Sequence, residues 1–198
     1  GTATPDQLLR KGGMRQGDRL ILTKPLGTGA LFAADMRGKA RGAWIDGALQ
    51  SMLQSSQSTA GILRRHGATA CTDVTGFGLV GHLLEMLRAS DVDSELSLAT
   101  IPTLDGALAL LGRGIASSLA PQNAALGSAV DGGAVAAGEP RMQLLYDPQT
   151  AGGLLASLPA ESSEACLAEL RANGAPQATA IGRVTARGSS ELRIRLTA

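Results

Sequence analysis

The stretch from Thr69 to His82 reads Thr-Ala-Cys-Thr-Asp-Val-Thr-Gly-Phe-Gly-Leu-Val-Gly-His. Its first six residues are small or β-branched, and they predict a short buried strand. The glycines Gly76 and Gly78 interrupt the chain, and leucines then recur at helical spacing. The stretch therefore predicts a strand, a tight turn and a helix, with Asp73 at the carboxyl end of the strand.

The turn of this stretch is suited to an anion, because free N–H groups and the helix dipole both favour negative charge. Thr75, Gly76 and Gly78 are accordingly candidates to face a phosphate group. Asp73 complicates this interpretation, since a carboxylate about 4 Å from a phosphate repels it by roughly 4 kcal/mol at an effective dielectric of about 20. A Mg²⁺ ion between the two groups would convert the repulsion into ligation. We therefore predict a Mg²⁺–phosphate site with Asp73 as a metal ligand; the alternative is that Asp73 only caps the turn.

Composition limits the remaining possibilities. A chain of 198 residues suits one domain with a substantial core, which must be aliphatic because aromatic residues make up only 2%. A net charge of +1, without a basic stripe and interleaved aromatics, argues against a nucleic-acid or membrane-surface partner. No apolar run reaches about 18 residues, so we expect a soluble, cytoplasmic protein. Cys71 and Cys166 are predicted to be buried thiols rather than a disulfide, and they form no zinc-binding pattern.

A second strand–turn–helix pattern precedes the first. Residues 18–23 predict a strand, and residues 30–36 predict a short helix. In the glycine-rich turn between them, Lys24, Thr28 and backbone amides are available to an anion, and Thr28 and Gly29 are candidates to face a phosphate. The turn lacks the Gly-Lys-Ser/Thr ending of a Walker A loop. A turn that merely needs glycine at positive φ is the alternative.

The third informative segment runs from Leu144 to Leu155, where two apolar pieces predict strands on either side of an acidic turn. Asp147 and Thr150 could serve a site, or Asp147 could open an ordinary Asp-Pro turn. The sequence also predicts a helix over 43–66, interrupted by the polar run 54–59, a strand over 94–99 and a helix over 103–111. Loops with a short helix at 122–129 are predicted over 112–140, followed by a helix over 160–173. Two final strands, 179–184 and 192–196, are predicted to form a hairpin or an adjacent pair around Gly188.

The run from Gly76 to Gly81 also matches the glycine pattern of dinucleotide-binding proteins. In that fold an acidic residue should end a second parallel strand about 20 residues further on. Asp93 and Glu95 instead begin a strand here. The element order also lacks a regular alternation of strand and helix, so we disfavour this interpretation.

Three segments together resemble the C-terminal domain of selenophosphate synthetases (selenide, water dikinases): Ile21–Gly29, Thr72–His82 and Asp147–Leu155. The resemblance implies an α+β fold of the AIR synthase-related type, in which helices pack on a mixed, largely antiparallel sheet. This fold is distantly related to the ferredoxin-like fold. We expect this domain to span 18–198, and the polar, glycine-rich composition of residues 1–17 indicates an incoming linker. The family uses ATP and selenide to make selenophosphate, and Asp73 matches a carboxylate that helps to hold Mg²⁺ on the ATP phosphates.

The departures from the family limit what can be assigned. The sequence lacks the family's N-terminal domain, which carries the reactive Cys or selenocysteine, its neighbouring Lys and most metal-binding Asp residues. We therefore assign no catalytic residue, and Lys24 does not take the role of that Lys. Ser56 and Ala151 stand where the family commonly has Asn and Ser. We expect the chain alone to be an inactive, monomeric part of a homodimeric enzyme that needs an N-terminal domain. A non-catalytic binding module, or a fused accessory domain, is the alternative.

Overall fold

The computed structural model describes residue 4 and residues 8–133 and 138–197. Parts of the predicted linker and of the predicted loop region, residues 1–3, 5–7 and 134–137, lie outside this range. In chain order the elements are β1 (Arg19–Leu22), α1 (Thr28–Asp35), α2 (Gly42–Leu53), α3 (Gln57–Arg65), β2 (Ala70–Asp73), α4 (Gly78–Ser90), β3 (Asp93–Ser97), α5 (Ala107–Leu111), α6 (Ala120–Ala124), β4 (Val130–Asp131), α7 (Pro140–Leu144), β5 (Leu154–Leu158), α8 (Ala160–Ala172), β6 (Thr179–Thr185) and β7 (Ile194–Thr197), with 3₁₀ turns at Leu98–Thr100 and Ala125–Ala129.

The strands form one mixed sheet in the order β2-β5-β1-β6-β3-β7-β4. The four pairings from β2 to β3 are antiparallel, whereas β7 is parallel to both β3 and β4. This arrangement confirms the predicted α+β class with a mixed, largely antiparallel sheet. None of the helices in the described part of the chain is long and apolar enough to cross a lipid bilayer.

Helices cover both faces of the sheet, as β1 illustrates. Leu20 and Leu22 point into a large apolar cluster that includes residues of α1, α4 and α5. Ile21, which lies between them, points into a smaller cluster with residues of α3 and α8. The period-2 alternation of a strand thus places apolar side chains in two cores. Cys71 and Cys166 are free thiols buried in the smaller cluster, which confirms that prediction.

The chain that leads into β1 is attached to the rest of the fold. Arg10 O accepts a hydrogen bond from Cys71 N at 2.7 Å, and Ser90 Oγ accepts one from Met14 N at 3.1 Å. Met14 is only 4% exposed and belongs to the large cluster. The domain boundary at Asp18 stays a prediction.

The predicted strand at 144–146 is wrong. Leu144 ends α7, and Tyr146 lies in the turn that follows, where its N–H donates to Gln143 O at 3.1 Å. The helix forms because Pro140 occupies its first turn and Glu139 Oε2 accepts a hydrogen bond from Met142 N at 3.0 Å. These start signals outweigh the short apolar run.

Two other predicted helices differ from the structure. The pattern over 43–66 forms two helices, α2 and α3, separated at the polar run. The predicted helix over 103–111 begins only at Ala107, because Thr103 forms a parallel bridge with Leu26. Gly106 precedes the helix with a φ of 85°, and a Cβ there would lie 2.3 Å from the Trp44 ring.

The predicted hairpin around Gly188 is also wrong, because β3 lies between β6 and β7. Ser94 is opposite Val184 of β6 and Ile194 of β7. The two final strands therefore pair with β3 from opposite sides and not with each other.

Candidate functional site

The carboxyl ends of β1 and β2 and the amino end of β5 meet at one edge of the sheet. Because β5 is antiparallel to both neighbours, β1 and β2 run in the same direction. Thr23 N donates to Leu154 O at 3.0 Å, and Val74 N donates to Gly153 O at 2.9 Å. The three segments that carry the family resemblance are therefore neighbours in space.

The N-terminus of α1 is capped by the turn that precedes β5. Gln149 Oε1 accepts hydrogen bonds from Gly27 N at 3.0 Å and from Thr28 N at 3.2 Å. Asp147 Oδ2 accepts one from Gly29 N at 3.0 Å. The first-turn N–H groups that a helix leaves unpaired are thus bonded to the chain's own oxygens. A phosphate at this N-terminus would have to compete with these two side chains.

Asp147 is fully buried, and its Oδ1 has no hydrogen-bond partner among the described residues. Burial raises the pKa of this carboxyl group to about 7, although the hydrogen bonds from Gln149 and Gly29 act in the opposite direction. Through its hydrogen bond with Gly29 N, Asp147 fixes the turn before β5 against the N-terminus of α1. Gln149 N adds to this connection by donating to Thr75 O at 3.0 Å.

Asp73 is the last residue of β2, and its side chain is exposed. Thr75 follows, and its Oγ1 lies 3.1 Å from His82 Nε2. Gly76 O accepts a hydrogen bond from Asn123 Nδ2 at 2.8 Å. In the part of the chain that the structure describes, no three His, Cys, Asp or Glu residues are grouped so that they could hold a metal ion. Asp73 is thus a single available carboxylate rather than a member of a complete metal site.

Gly78 begins α4 with a φ of 68° and is buried. A Cβ at this position would lie 2.9 Å from Leu145 O and 3.0 Å from the carbonyl carbon of Tyr146. Its N–H donates to Thr75 O at 3.0 Å and closes the turn. Glycine is therefore required here for packing, and its predicted phosphate-facing role stays a prediction.

Lys24 lies at the same edge of the sheet and is only 6% exposed. Its Nζ donates to Gln54 O at 2.8 Å and to Ala151 O at 3.1 Å. Burial lowers the pKa of this amine. The side chain joins the end of α2 to the turn before β5, in which Ala151 has a φ of 47°. Lys24 thus connects backbone segments around the site.

A cavity of about 510 Å³ lies beside the N-terminus of α1. It is lined by Thr28, Gly29 and Gly76, which brings three of the predicted phosphate-facing residues together. Asp73 instead borders a separate depression, with Lys11 among its neighbours. The cavity and this depression have no lining residue in common.

Large apolar side chains are exposed around this region. Met36 is 83% exposed and Leu119 49% exposed, and both line the cavity. Phe77 is 59% exposed and lies in the turn after β2. Such a group of exposed apolar side chains is typical of a surface that another protein segment covers.

Residues 15–195 match the family described as AIR synthase related protein, C-terminal domain. The chain belongs to this family. It is similar to the selenide, water dikinase of Clostridioides difficile, with 34% identity over 195 residues that cover 98% of this chain and 56% of the relative. It is also similar to those of Geobacter metallireducens (37%, covering 88% and 50%) and Bdellovibrio bacteriovorus (39%, covering 87% and 49%). The chain thus spans about half the length of these curated relatives.

Two solved structures confirm the fold. The hydrogenase maturation protein HypE of E. coli matches with a TM-score of 0.66 and 20% identity, covering 96% of this chain and 49% of that one. The thiamine-monophosphate kinase of Stenotrophomonas maltophilia matches with a TM-score of 0.65 and 18% identity, covering 96% and 53%. In each case the chain again corresponds to about half of the larger protein.

Proposed function

We propose that this chain is the C-terminal half of an ATP-dependent selenophosphate synthetase, which converts selenide, ATP and water to selenophosphate, AMP and phosphate. The supporting observation is 34–39% identity to selenide, water dikinases over almost the whole chain, combined with coverage of only about half of each relative. The convergence of the three shared segments at one edge of the sheet also supports the proposal.

In this proposal Asp73 is a Mg²⁺ ligand. Mg²⁺ in nucleotide sites usually takes one or two carboxylates and completes its shell with phosphate oxygens and water. One exposed carboxylate, with no acidic cluster around it among the residues that the structure describes, fits such a partial site and does not fit an all-protein cage. The bound ion would neutralise charge on the transferred phosphoryl group. The remaining ligands would come from the nucleotide and from the N-terminal half.

The backbone of Thr28, Gly29, Thr75, Gly76 and Gly78 is proposed to face the ATP phosphates. Gly76 offers the most direct approach, because it is exposed, lines the cavity, and has open space where a Cβ would lie. Thr28 and Gly29 line the same cavity, although their amides already bind Gln149 and Asp147.

We further propose that an N-terminal half covers the exposed apolar surface formed by Met36, Phe77 and Leu119. This half would also form the homodimer contact, so the chain alone would be a monomer. Two free, buried thiols are consistent with the reducing environment of the cytoplasm.

The test uses two chimaeras, in which this chain replaces the matching half of the C. difficile or the G. metallireducens relative. Both should turn over ATP in a selenide- and Mg²⁺-dependent reaction. Asp73→Asn should lower that turnover about 100-fold or more while leaving the unfolding midpoint unchanged, because it removes a metal ligand and no buried contact. Asp46→Asn, at an exposed position in α2, is the matched control.

Two results would contradict the proposal. Unchanged turnover in Asp73→Asn would exclude the metal-ligand role, and a shifted unfolding midpoint would make Asp73 a structural residue. If both chimaeras fold, as judged by a cooperative unfolding transition, and neither turns over ATP, the synthetase function itself would be excluded in favour of a non-catalytic module.

A further inference from the structure

Gly76 lines two depressions of the surface. One is the cavity of about 510 Å³ beside the N-terminus of α1, and the other is a depression of about 300 Å³ beside α6. Asn123, on α6, lines the second of these, which we call the α6 depression, and does not line the cavity. The proposed function assigns Gly76 to the ATP phosphates and gives no role to Asn123.

Asn123 is a buried polar residue, only 6% exposed, whose side chain binds two backbone carbonyl groups. Its Nδ2 donates to Gly76 O at 2.8 Å and to Tyr146 O at 3.0 Å. Because both partners are acceptors, the amide presents its nitrogen to them, and the two bonds use both hydrogens of the NH₂ group. Asn123 therefore joins the turn after β2 to the turn that follows α7.

The backbone N–H groups around Gly76 differ from those at the N-terminus of α1. The amides of residues 27–29 are already bonded to Gln149 and Asp147. The N–H groups of Gly76 and Phe77, in contrast, have no hydrogen-bond acceptor among the residues that the structure describes, and both residues are exposed. Of the two turns, the one after β2 thus offers N–H groups that are not already bonded.

The bond from Asn123 fixes the orientation of the peptide group between Gly76 and Phe77. In a trans peptide the C=O and the N–H point in opposite directions, so a Gly76 carbonyl bound to Asn123 directs the Phe77 N–H away from Asn123. Packing does not hold this peptide, because Gly76 has no Cβ and nothing lies within 4 Å of the place that one would occupy. Without Asn123 the peptide could rotate and present its carbonyl oxygen, which repels a phosphate, in place of the N–H.

We infer that Asn123 is a positioning residue that holds the peptide between Gly76 and Phe77 with its N–H, and not its carbonyl oxygen, towards the ATP phosphates. The inference rests on the proposed function for the presence of the nucleotide. It adds the N–H of Phe77 to the groups that face phosphate. Asn123 acts on ATP affinity through the backbone of the turn and does not touch the nucleotide.

The first test uses this chain alone and needs no nucleotide. Backbone ¹⁵N relaxation should give order parameters of about 0.85 for Gly76 and Phe77, the value of a rigid backbone. Asn123→Ala should lower them below about 0.6 or introduce exchange in relaxation-dispersion spectra. Gln122→Ala is the matched control, because Gln122 is exposed, precedes Asn123 on α6 and lines the same depression. It should leave the order parameters unchanged.

A double variant shows that the effect passes through the glycine backbone. Gly76 is not at positive φ, and a Cβ there would meet nothing within 4 Å, so alanine fits the native conformation. Because alanine restricts the backbone, Gly76→Ala should restore much of the order that Asn123→Ala removes. Gly76 and Phe77 amides that stay equally ordered in Asn123→Ala, by relaxation and by dispersion, would overturn the inference.

The second test measures ATP turnover by the chimaeras. Asn123→Ala should raise the KM for ATP about tenfold and leave kcat nearly unchanged, because the lost phosphate contact exists in both the ground state and the transition state. Gln122→Ala should keep the wild-type values. A merely structural role for Asn123 would instead reduce the amount of folded enzyme, and so lower the apparent kcat at an unchanged KM. That result would overturn the inference.

The two tests separate this inference from the proposed function. If the chimaeras turn over ATP and Asn123→Ala keeps the wild-type KM, only the role of Asn123 is excluded. If both chimaeras fold and neither turns over ATP, the proposed function fails and the phosphate role of the turn fails with it. Should Asn123→Ala not unfold cooperatively, Asn123→Leu, which keeps the branch at Cγ and removes both donors, decides the question in both tests.

Discussion

Asp147 combines complete burial with incomplete pairing. Oδ2 accepts hydrogen bonds from Gly29 N and from Gln149 Nε2, whereas Oδ1 has no partner among the described residues. Removing a charged oxygen from water without a bonding partner disfavours the ionised form. This balance explains why the pKa of Asp147 is raised to about 7. Its protonation therefore affects stability at ordinary pH.

We predict that Asp147→Asn becomes more stable relative to the wild type as pH rises. A pKa raised from 3.8 to about 7 means that the native state holds a proton that the unfolded state has lost between these values. The wild type therefore loses stability as pH rises through this window, by an amount on the order of a few kcal/mol. The neutral Asn side chain has no such dependence. Urea unfolding midpoints of both proteins at pH 5 and pH 8 measure the difference.

The control for this prediction is Asp105→Asn, at an exposed position. It should follow the wild-type pH profile. Parallel profiles for the wild type and Asp147→Asn would show that Asp147 is ionised throughout the range, and would contradict the raised pKa.

At the scale of single residues, the sequence predicts positions better than partners. Asp73 lies at the end of its strand, as the small and β-branched run before it indicated. The role of Gln149 could not be predicted in this way, because its partners, Gly27 and Thr28, lie more than 100 residues away. His82 could not be assigned for a similar reason, since its spacing on a helix does not reveal which turn it contacts.

Helices and strands were predicted where the periodicity of the sequence is strong, but the pairing of the strands was not predicted. The strand over 94–99 is observed as β3, with alternating buried and half-buried residues. The position of β7 beside β3 depends on which apolar faces meet in the folded sheet, and the same alternating pattern suits either neighbour. The error at 144–146 arose because an apolar run shorter than five residues fits a strand or the end of a helix equally well.

We predict that Gly78→Ala destabilises the fold by about 2–3 kcal/mol. The start of α4 packs against the backbone of Leu145 and Tyr146, and a Cβ would contact both while the backbone stays at positive φ. The loss of stability arises from the contact between α4 and the backbone of Leu145 and Tyr146, and not from the turn alone. Chemical denaturation of the chain measures it.

Gly47→Ala is the matched control, since Gly47 lies within α2 with nothing within 4 Å of a Cβ. It should stabilise the protein by about 0.5–1 kcal/mol, because alanine favours the helix. Equal stability changes at Gly47 and Gly78 would contradict the packing argument.

At the scale of the whole molecule, the strand order of the sheet, and not proximity in the sequence, brings the residues of the proposed site together. β5 returns between β1 and β2, which places the turn before it against the turns that follow the other two strands. Asp147 and Gln149 occupy the helix amides at this edge, and Asp73 is the one carboxylate that we propose as a ligand. In the proposed function, a surface with one metal ligand and exposed apolar side chains around it binds nucleotide only when a second domain completes it.

We therefore predict that this chain alone binds ATP–Mg²⁺ with a Kd weaker than about 1 mM, equivalent to about −4 kcal/mol. Calorimetric titration beside a denaturation scan checks this in a folded sample, and either chimaera should bind under the same conditions. The difference would locate the missing binding energy in the contacts that the N-terminal half provides. Micromolar, Mg²⁺-dependent binding by the isolated chain would contradict a shared site. The turns around Thr28 and Asp73 would then form a nucleotide site by themselves, despite the side chains that now occupy the amides of α1.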